Sequence, residues 1–181
     1  MIKGLCGIDE AGRGPFAGPM LIAGVILHKE IDELNDSKKL SQKKREYLYD
    51  IIIKNSFYHI VSVNNITIDK LGLSLCIKNA IIEIMDNLNA KSYLMDGNTS
   101  FGIKNLEHKI KADATIKEVS AASILAKVTR DKYMVNISKD YPLYNFDKHK
   151  GYGTKAHKEA IIKYGFCDIH RLSYKIKGVN C

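Results

Sequence analysis

Gly7-Ile8-Asp9-Glu10-Ala11-Gly12-Arg13-Gly14-Pro15, near the N-terminus, is the stretch on which the fold turns. It closes a short apolar run, residues 5–8, with the composition of a buried strand. It then stops on two adjacent carboxylates and a glycine-rich loop. A simple turn needs one glycine or one aspartate, not two carboxylates beside a guanidinium. Side chains alternate along a regular strand, so Asp9 and Glu10 are expected to converge through a bend that the glycines permit. The stretch reads as a cation site beside a phosphate-facing loop, with a surface turn as the plainer alternative.

Residues 2–8 and 20–27 are strand candidates joined by that loop, and so short a connection makes them antiparallel neighbours. Ser41 can cap a helix over residues 42–54 with Tyr47, Leu48, Ile51 and Ile52 as its apolar stripe. Residues 57–63 read as a third strand. Thr67 is expected to cap a helical region reaching residue 88, with Leu71, Leu75, Ile82, Met85 and Leu88 facing inward. Ser92-Tyr93-Leu94-Met95-Asp96-Gly97 is a short strand ending on a carboxylate, and residues 107–111 form another, ended by Lys111-Ala112-Asp113-Ala114.

The longest helix is expected over residues 119–139. Its first residues, Ser120-Ala121-Ala122-Ser123, are small enough to lie close on a sheet. A basic loop, residues 148–154, carries Tyr152, and a helix over 155–164 stops at Gly165. The tail His170-Arg171-Leu172-Ser173-Tyr174 reads as basic and short. Strands followed by alternating helices and strands predict an α/β fold, a mixed sheet flanked by helices, with acids at strand ends where such sheets place ligands.

With 181 residues the chain is expected to form one domain. A formal net charge of +8 favours a polyanionic partner. Asp9, Glu10 and Arg13 interrupt any signal-peptide core, and no apolar run approaches the roughly 20 residues that span a bilayer. Cys6, Cys76, Cys167 and Cys181 are widely spaced without metal-ligand spacing, which predicts free thiols and a cytoplasmic protein.

Asp9, Glu10, Asp96 and Asp113 all follow apolar strand segments, so one edge of the sheet can gather four carboxylates. Such a cluster repels itself unless a cation neutralises it. Oxygen ligands without nearby His or Cys select Mg²⁺ or Mn²⁺, and a pair of such ions suits phosphodiester hydrolysis. Taken singly, Asp96 and Asp113 read better as loop caps, Lys38 and Lys39 as solvated lysines, and Tyr152 as a partial core plug; taken with Asp9-Glu10 and the basic loops, the two acids read as metal ligands. Arg13 between glycines is harder to assign to a structural role, since the glycines free backbone amides to face phosphate or sugar oxygens.

Asp9-Glu10-Ala11-Gly12-Arg13-Gly14-Pro15, Asp36-Ser37-Lys38-Lys39-Leu40-Ser41, Ala121-Ala122-Ser123-Ile124-Leu125-Ala126-Lys127-Val128, Lys150-Gly151-Tyr152 and His170-Arg171 occur in this order. Together they resemble ribonuclease HII, the type 2 ribonuclease H, over nearly the whole chain. The resemblance implies a ribonuclease H-like fold with a C-terminal helical, substrate-sensing extension from about residue 140. It implies cleavage of RNA paired with DNA and incision 5′ of single ribonucleotides in duplex DNA, leaving 5′-phosphate and 3′-hydroxyl ends.

By motif, Asp9, Glu10, Asp96 and Asp113 resemble the metal-binding acids, with Mn²⁺ or Mg²⁺ as cofactor. Gly12, Arg13 and Gly14 resemble the loop that reads the ribose 2′-hydroxyl. Tyr152 resembles the tyrosine that stacks on the neighbouring deoxyribose, and Lys38 and Lys39 would contact phosphates. Ala112, where relatives more often carry glycine, and Glu118 depart from the pattern without removing a ligand. The expected partners are RNA–DNA hybrid and DNA duplex containing ribonucleotides, with no membrane and no obligate protein partner, and the expected state is a monomer. A resolvase- or transposase-like nuclease and a non-catalytic RNA-binding module are the competing readings.

Overall fold

The computed structural model describes residues 2–34 and 40–179. Lys38 and Lys39, expected at substrate phosphates, lie outside the described residues. The central strand β1 (Ile2–Ala11) pairs antiparallel with β2 (Met20–Leu27), which pairs antiparallel with β3 (Ser56–Val63). On its other side β1 runs parallel to β4 (Ala90–Asp96), followed by a parallel β5 (Leu106–Lys109). The strand order is β3-β2-β1-β4-β5, the mixed sheet expected from the sequence.

Parallel pairing requires a crossover, which two helices supply: α2 (Asn65–Leu71) and α3 (Leu73–Leu88). One continuous helix was expected here. Gly72, at φ 76°, instead ends α2 and opens α3, and Asn64 rather than Thr67 is the cap, its side chain accepting from Thr67 N–H at 2.8 Å. The break resets the helical phase, so Leu71, Leu75 and Ile82 are exposed and the buried stripe is Cys76, Ile77, Ala80, Ile81, Ile84 and Leu88. Of the expected inward residues, Leu88 is buried and Met85 packs partly.

Helix α1 (Gln42–Lys54) has the expected Ser41 cap, at 3.2 Å from Lys44 N–H, and buries Leu48 and Ile52 while Tyr47 stays exposed. Helix α4 (Lys117–Ile137) lies across the face of the sheet opposite α3. Its start lies very close to β1 because Gly7 carries no side chain: a Cβ there would stand 2.3 Å from the backbone of Glu118 and Val119. The sheet is thus covered on both faces, which explains why β2 is an almost unbroken apolar run.

Beyond α4 come a 3-10 turn (Pro142–Tyr144), α5 (Phe146–His149) and α6 (Lys155–Tyr164), so the expected loop at 148–154 begins inside a short helix. Thr154 caps α6 and Gly165 ends it at φ 79°. Tyr144, Phe146, Ala160 and Ile169 form a third core cluster with Ala17 and Met134, tying this end of the chain to the loop after β1. Among the described residues no helix is long and apolar enough to cross a membrane.

Candidate active site

The parallel pairing of β1 with β4 sets Ile8 opposite Met95. Asp9 and Asp96, the next residues along, therefore emerge together at the C-terminal edge of the sheet. Asp113 joins them, with one carboxylate oxygen of each lying within 4.8 Å of the others. Two expectations are corrected at this point. Asp113 does not end a strand: β5 stops at Lys109, Lys111 turns left-handed at φ 58°, and Asp113 sits in a 3-10 turn (Ala112–Ala114). Nor does the backbone bend at Asp9-Glu10, because the ladder with β2 continues in register to Ala11 opposite Leu21. Glu10 accordingly stands outside the compact group of three, though it lines the same cleft.

Asp9 and Asp113 are buried, and Asp96 is half-buried. Asp96 Oδ1 accepts from the N–H of Ala112, which is itself fully buried. Burial pushes the Asp9 carboxyl well above its ordinary range, and the charges of Glu10 and Asp96 push it further; hydrogen bonds from the Ser123 hydroxyl and the Glu10 N–H act the other way. Burial also raises Glu10, against the guanidinium of Arg13, which donates to Oε1 at 3.2 Å. Glu10 Oε2 is buried with no hydrogen-bond partner among the described residues. Asp9 and Glu10, both raised by burial, with the unserved Glu10 oxygen beside them, favour added positive charge, and the all-oxygen donor set of Asp9, Asp96 and Asp113 suits a hard divalent cation.

The loop after β1 is held from below by two arginines buried to zero exposure. Arg130 donates to the carbonyls of Pro19, Ala17 and Lys150, at 2.8, 3.1 and 3.0 Å. Arg171 donates to Gly12 O at 2.7 Å, Arg13 O at 3.0 Å and Gly18 O at 2.8 Å, and the Tyr174 hydroxyl adds a second bond to Arg13 O at 2.6 Å. Gly12 has φ 95°, and a Cβ there would meet Arg130 Nε at 2.2 Å. This is a position only glycine fits. In the tail that read as basic and short, Arg171 is therefore a buried clamp, while Leu172 beside it is exposed.

Above these elements lies a cleft of about 470 Å³. Asp9, Glu10, Asp96, Gly12, Arg13, Gly14 and Tyr152 all line it. Arg45, Ser123 and Lys127 line it too, with no site role foreseen for them. Ser123 and Lys127 are four residues apart on α4, a spacing that shares a helix face and could have flagged them. Lys127 pairs with Asp131 at 2.9 Å, and the Lys127 ammonium and Arg130 guanidinium each lie 5.5 Å from the Tyr152 ring centre.

A sheet of this order, with a carboxylate group at the ends of its two central parallel strands and a cation-lined cleft above, is the architecture of a metal-dependent nuclease of the ribonuclease H-like class. The ribonuclease HII family model matches residues 6–177, and the chain belongs to that family. Ribonuclease HII of Aliarcobacter butzleri is 59% identical over 99% of the chain and 94% of its own length, and that of Sulfurovum sp. is 54% identical over 98% and 95%. Among solved structures, ribonuclease HII in its PCNA complex from Archaeoglobus fulgidus superposes with a TM-score of 0.80 at 26% identity, covering 93% of this chain and 92% of that one. Ribonuclease H2 of Pyrococcus horikoshii gives 0.77 at 27%, with 94% and 93% covered. The chain is thus a divalent-metal-dependent endoribonuclease with ribonuclease H activity.

Proposed function

We propose that the chain hydrolyses the RNA strand of RNA–DNA hybrids and cuts 5′ of single ribonucleotides in duplex DNA, leaving 5′-phosphate and 3′-hydroxyl ends. The observation that carries this reading is the Asp9, Asp96 and Asp113 group lying directly beside a glycine loop whose carbonyls are held by Arg171. Asp9, Asp96 and Asp113 would hold Mg²⁺ or Mn²⁺, with Glu10 reaching in from the adjacent strand position. Bound there, such ions supply positive charge where negative charge develops, on the attacking and departing oxygens of a phosphodiester.

The chain's own residues do the recognition. With the carbonyls of Gly12 and Arg13 engaged behind the loop, the amides of Gly12, Arg13 and Gly14 would meet a ribose 2′-hydroxyl, the group that distinguishes RNA from DNA at one nucleotide. Tyr152, on the far side of the cleft, would stack on the neighbouring deoxyribose. Lys127 and Arg45 would meet backbone phosphates, with Lys38 and Lys39 as further contacts, in keeping with the +8 charge of the chain. Residues from about 140 onward act as the substrate-sensing extension of a single domain. The chain works as a monomer in the cytoplasm without an obligate protein partner.

The test is cleavage of four end-labelled substrates in Mn²⁺ or Mg²⁺: a duplex with one ribonucleotide in DNA, a full hybrid, an all-DNA duplex and an all-DNA four-way junction. Cuts 5′ of the ribonucleotide and within the hybrid, with all-DNA duplex left intact, are the expected result. Cleavage of DNA junctions with ribonucleotides ignored would replace this reading with the resolvase-like one, and binding without any cleavage would replace it with the RNA-binding module.

A further inference from the structure

Three histidines, His149, His157 and His170, lie under the loop that carries Tyr152. The rings of His149 and His157 stack at 4.4 Å and 17°, and His157 Nε2 is 3.1 Å from His170 Nε2. His157 and His170 are buried to 0% and 1% exposure. None of the three touches the cleft, so the chemistry proposed above leaves them without a task.

Backbone groups of known polarity fix every proton in this cluster. The N–H of Cys167 points at His170 Nδ1, at 2.8 Å, so that nitrogen accepts. The Cys167 carbonyl at 3.2 Å and the Cys167 thiol sulfur at 3.1 Å are also near, but the backbone N–H makes the shortest contact and the thiol too can donate to this nitrogen. The neutral His170 ring must then carry its proton on Nε2 and donate to His157 Nε2. His157 is left with its proton on Nδ1, which donates at 3.0 Å to the carbonyl of Tyr152, the same oxygen that accepts the Thr154 N–H at 2.8 Å. His149 is set in the same way: Gly151 N–H donates to its Nδ1 at 3.2 Å, and its Nε2 donates to Tyr144 O at 2.8 Å. Burial keeps the rings neutral, pushing both His157 and His170 down to about 4.

The direction of this relay matters. It starts at His170, next to the Arg171 that clamps the Gly12 and Arg13 carbonyls. It ends on the carbonyl of Tyr152, across the cleft. Phe16, in the loop after β1, closes the circuit: its N–H donates to Gly151 O and its carbonyl accepts from Arg171 N–H, both at 2.8 Å. The two walls of the cleft are therefore registered to one another through buried imidazoles and backbone.

We propose that His157 is a positioning residue for Tyr152: its Nδ1–H, held as a donor by His170, fixes the Tyr152 carbonyl and so sets where the tyrosine ring meets the sugar of the substrate. This rests on the reading that Tyr152 contacts the deoxyribose beside the ribonucleotide. The quantity to follow is the ratio of cleavage of a single-ribonucleotide duplex to cleavage of a long hybrid. A hybrid offers many registers and depends less on one sugar contact.

The chemistry of amides provides a sharp experiment. Asn places its NH₂ near the Nδ1 position of histidine, and Gln places its amide near Nε2. His157→Asn retains the donor to Tyr152 and, being an amide, needs no neighbour to fix a tautomer. It should keep the ratio within about twofold of wild type, whereas His157→Gln should lower it roughly tenfold, as expected for one lost hydrogen bond. At position 170 the order reverses, since Gln there can still donate to His157 and Asn cannot: His170→Gln should keep the ratio and His170→Asn should lower it.

General loosening of the fold would not reverse the ranking of Asn and Gln between two sites. The Tyr152→Ala protein serves as reference. If it lowers the ratio while His157→Gln does not, the positioning role is wrong and the sensing role of Tyr152 stands. If Tyr152→Ala leaves the ratio unchanged, the sensing role and this inference fall together. Should His157→Gln not fold, the His170 pair decides, and an equal ratio for its two variants overturns the proposal.

Discussion

The protein buries two clusters of titratable side chains, and they are opposite in kind. The imidazoles of His149, His157 and His170 are closed on themselves, each nitrogen matched to a donor or acceptor of the protein. The acidic group at the ends of β1 and β4 is of the other kind. Asp9 and Glu10 are pushed up by burial, Asp9 further by its acidic neighbours, and a buried oxygen of Glu10 has no partner among the described residues. A cluster that only had to hold the fold would resemble the first. Arg13, paired with Glu10, is a cation that the described residues set beside the second, whose Asp9, Asp96 and Asp113 oxygens suit a further, divalent one, and that contrast supports the metal site proposed above.

The largest effect expected is on the acidic cluster. Asp9→Asn should reduce cleavage by more than the roughly 100-fold that loss of an outer partner of a metal ligand costs. The same variant should melt at a higher temperature than wild type in chelator, because the amide has no charge to desolvate. A lower melting temperature in chelator would mean that Asp9 is a structural residue.

A smaller loss is expected from breaking the clamp that links the two regions. Arg171→Met leaves the buried carbonyls of Gly12 and Gly18 without their donor, and urea unfolding should show a cost on the order of 3 kcal/mol. Unchanged stability would show that the guanidinium is not holding the loop.

Smaller still, the two clusters should leave opposite marks on the pH dependence of stability. The imidazoles of His157 and His170 are held near 4 in the folded chain, below the ordinary value of 6.5. The unfolded chain therefore binds more protons in between, and their stabilising contribution, complete above about 6.5, is lost as pH falls towards 4. Asp9 works the other way: its raised value favours the folded state in acid and opposes it as pH rises through that value. Melting curves between pH 4 and 7 should fall less steeply towards acid for His157→Asn than for wild type. Identical slopes would contradict the buried, neutral assignment.

Much of this was legible in the sequence, and the parts that were not share a cause. β1 and β2, the Ser41 cap, the Gly165 stop and the small-residue start of α4 are local signals, carried by residues a few positions apart. That Asp9, Asp96 and Asp113 gather at one edge was legible from their positions late in or just beyond apolar runs: Asp9 and Asp96 are among the last residues of β1 and β4, and Asp113 sits in the 3-10 turn after β5. What failed involved phase or distance. A single glycine, Gly72, divided one expected helix into two and rotated the buried stripe. A regular ladder with β2 kept Asp9 and Glu10 from converging by a bend. Arg171 and His170 read only as part of a basic, short tail, since the carbonyls that Arg171 holds are more than 150 residues away and His157 meets His170 from α6. Nothing in a run such as His170-Arg171-Leu172 indicates that both polar side chains are buried.

The most direct test of the account is a calorimetric titration of Mn²⁺ into the wild-type protein and into Asp96→Asn, without nucleic acid. The account predicts that the wild type binds the ion and that the variant binds it much more weakly while retaining its fold and its affinity for a single-ribonucleotide duplex. Equal Mn²⁺ binding by the two proteins would contradict it.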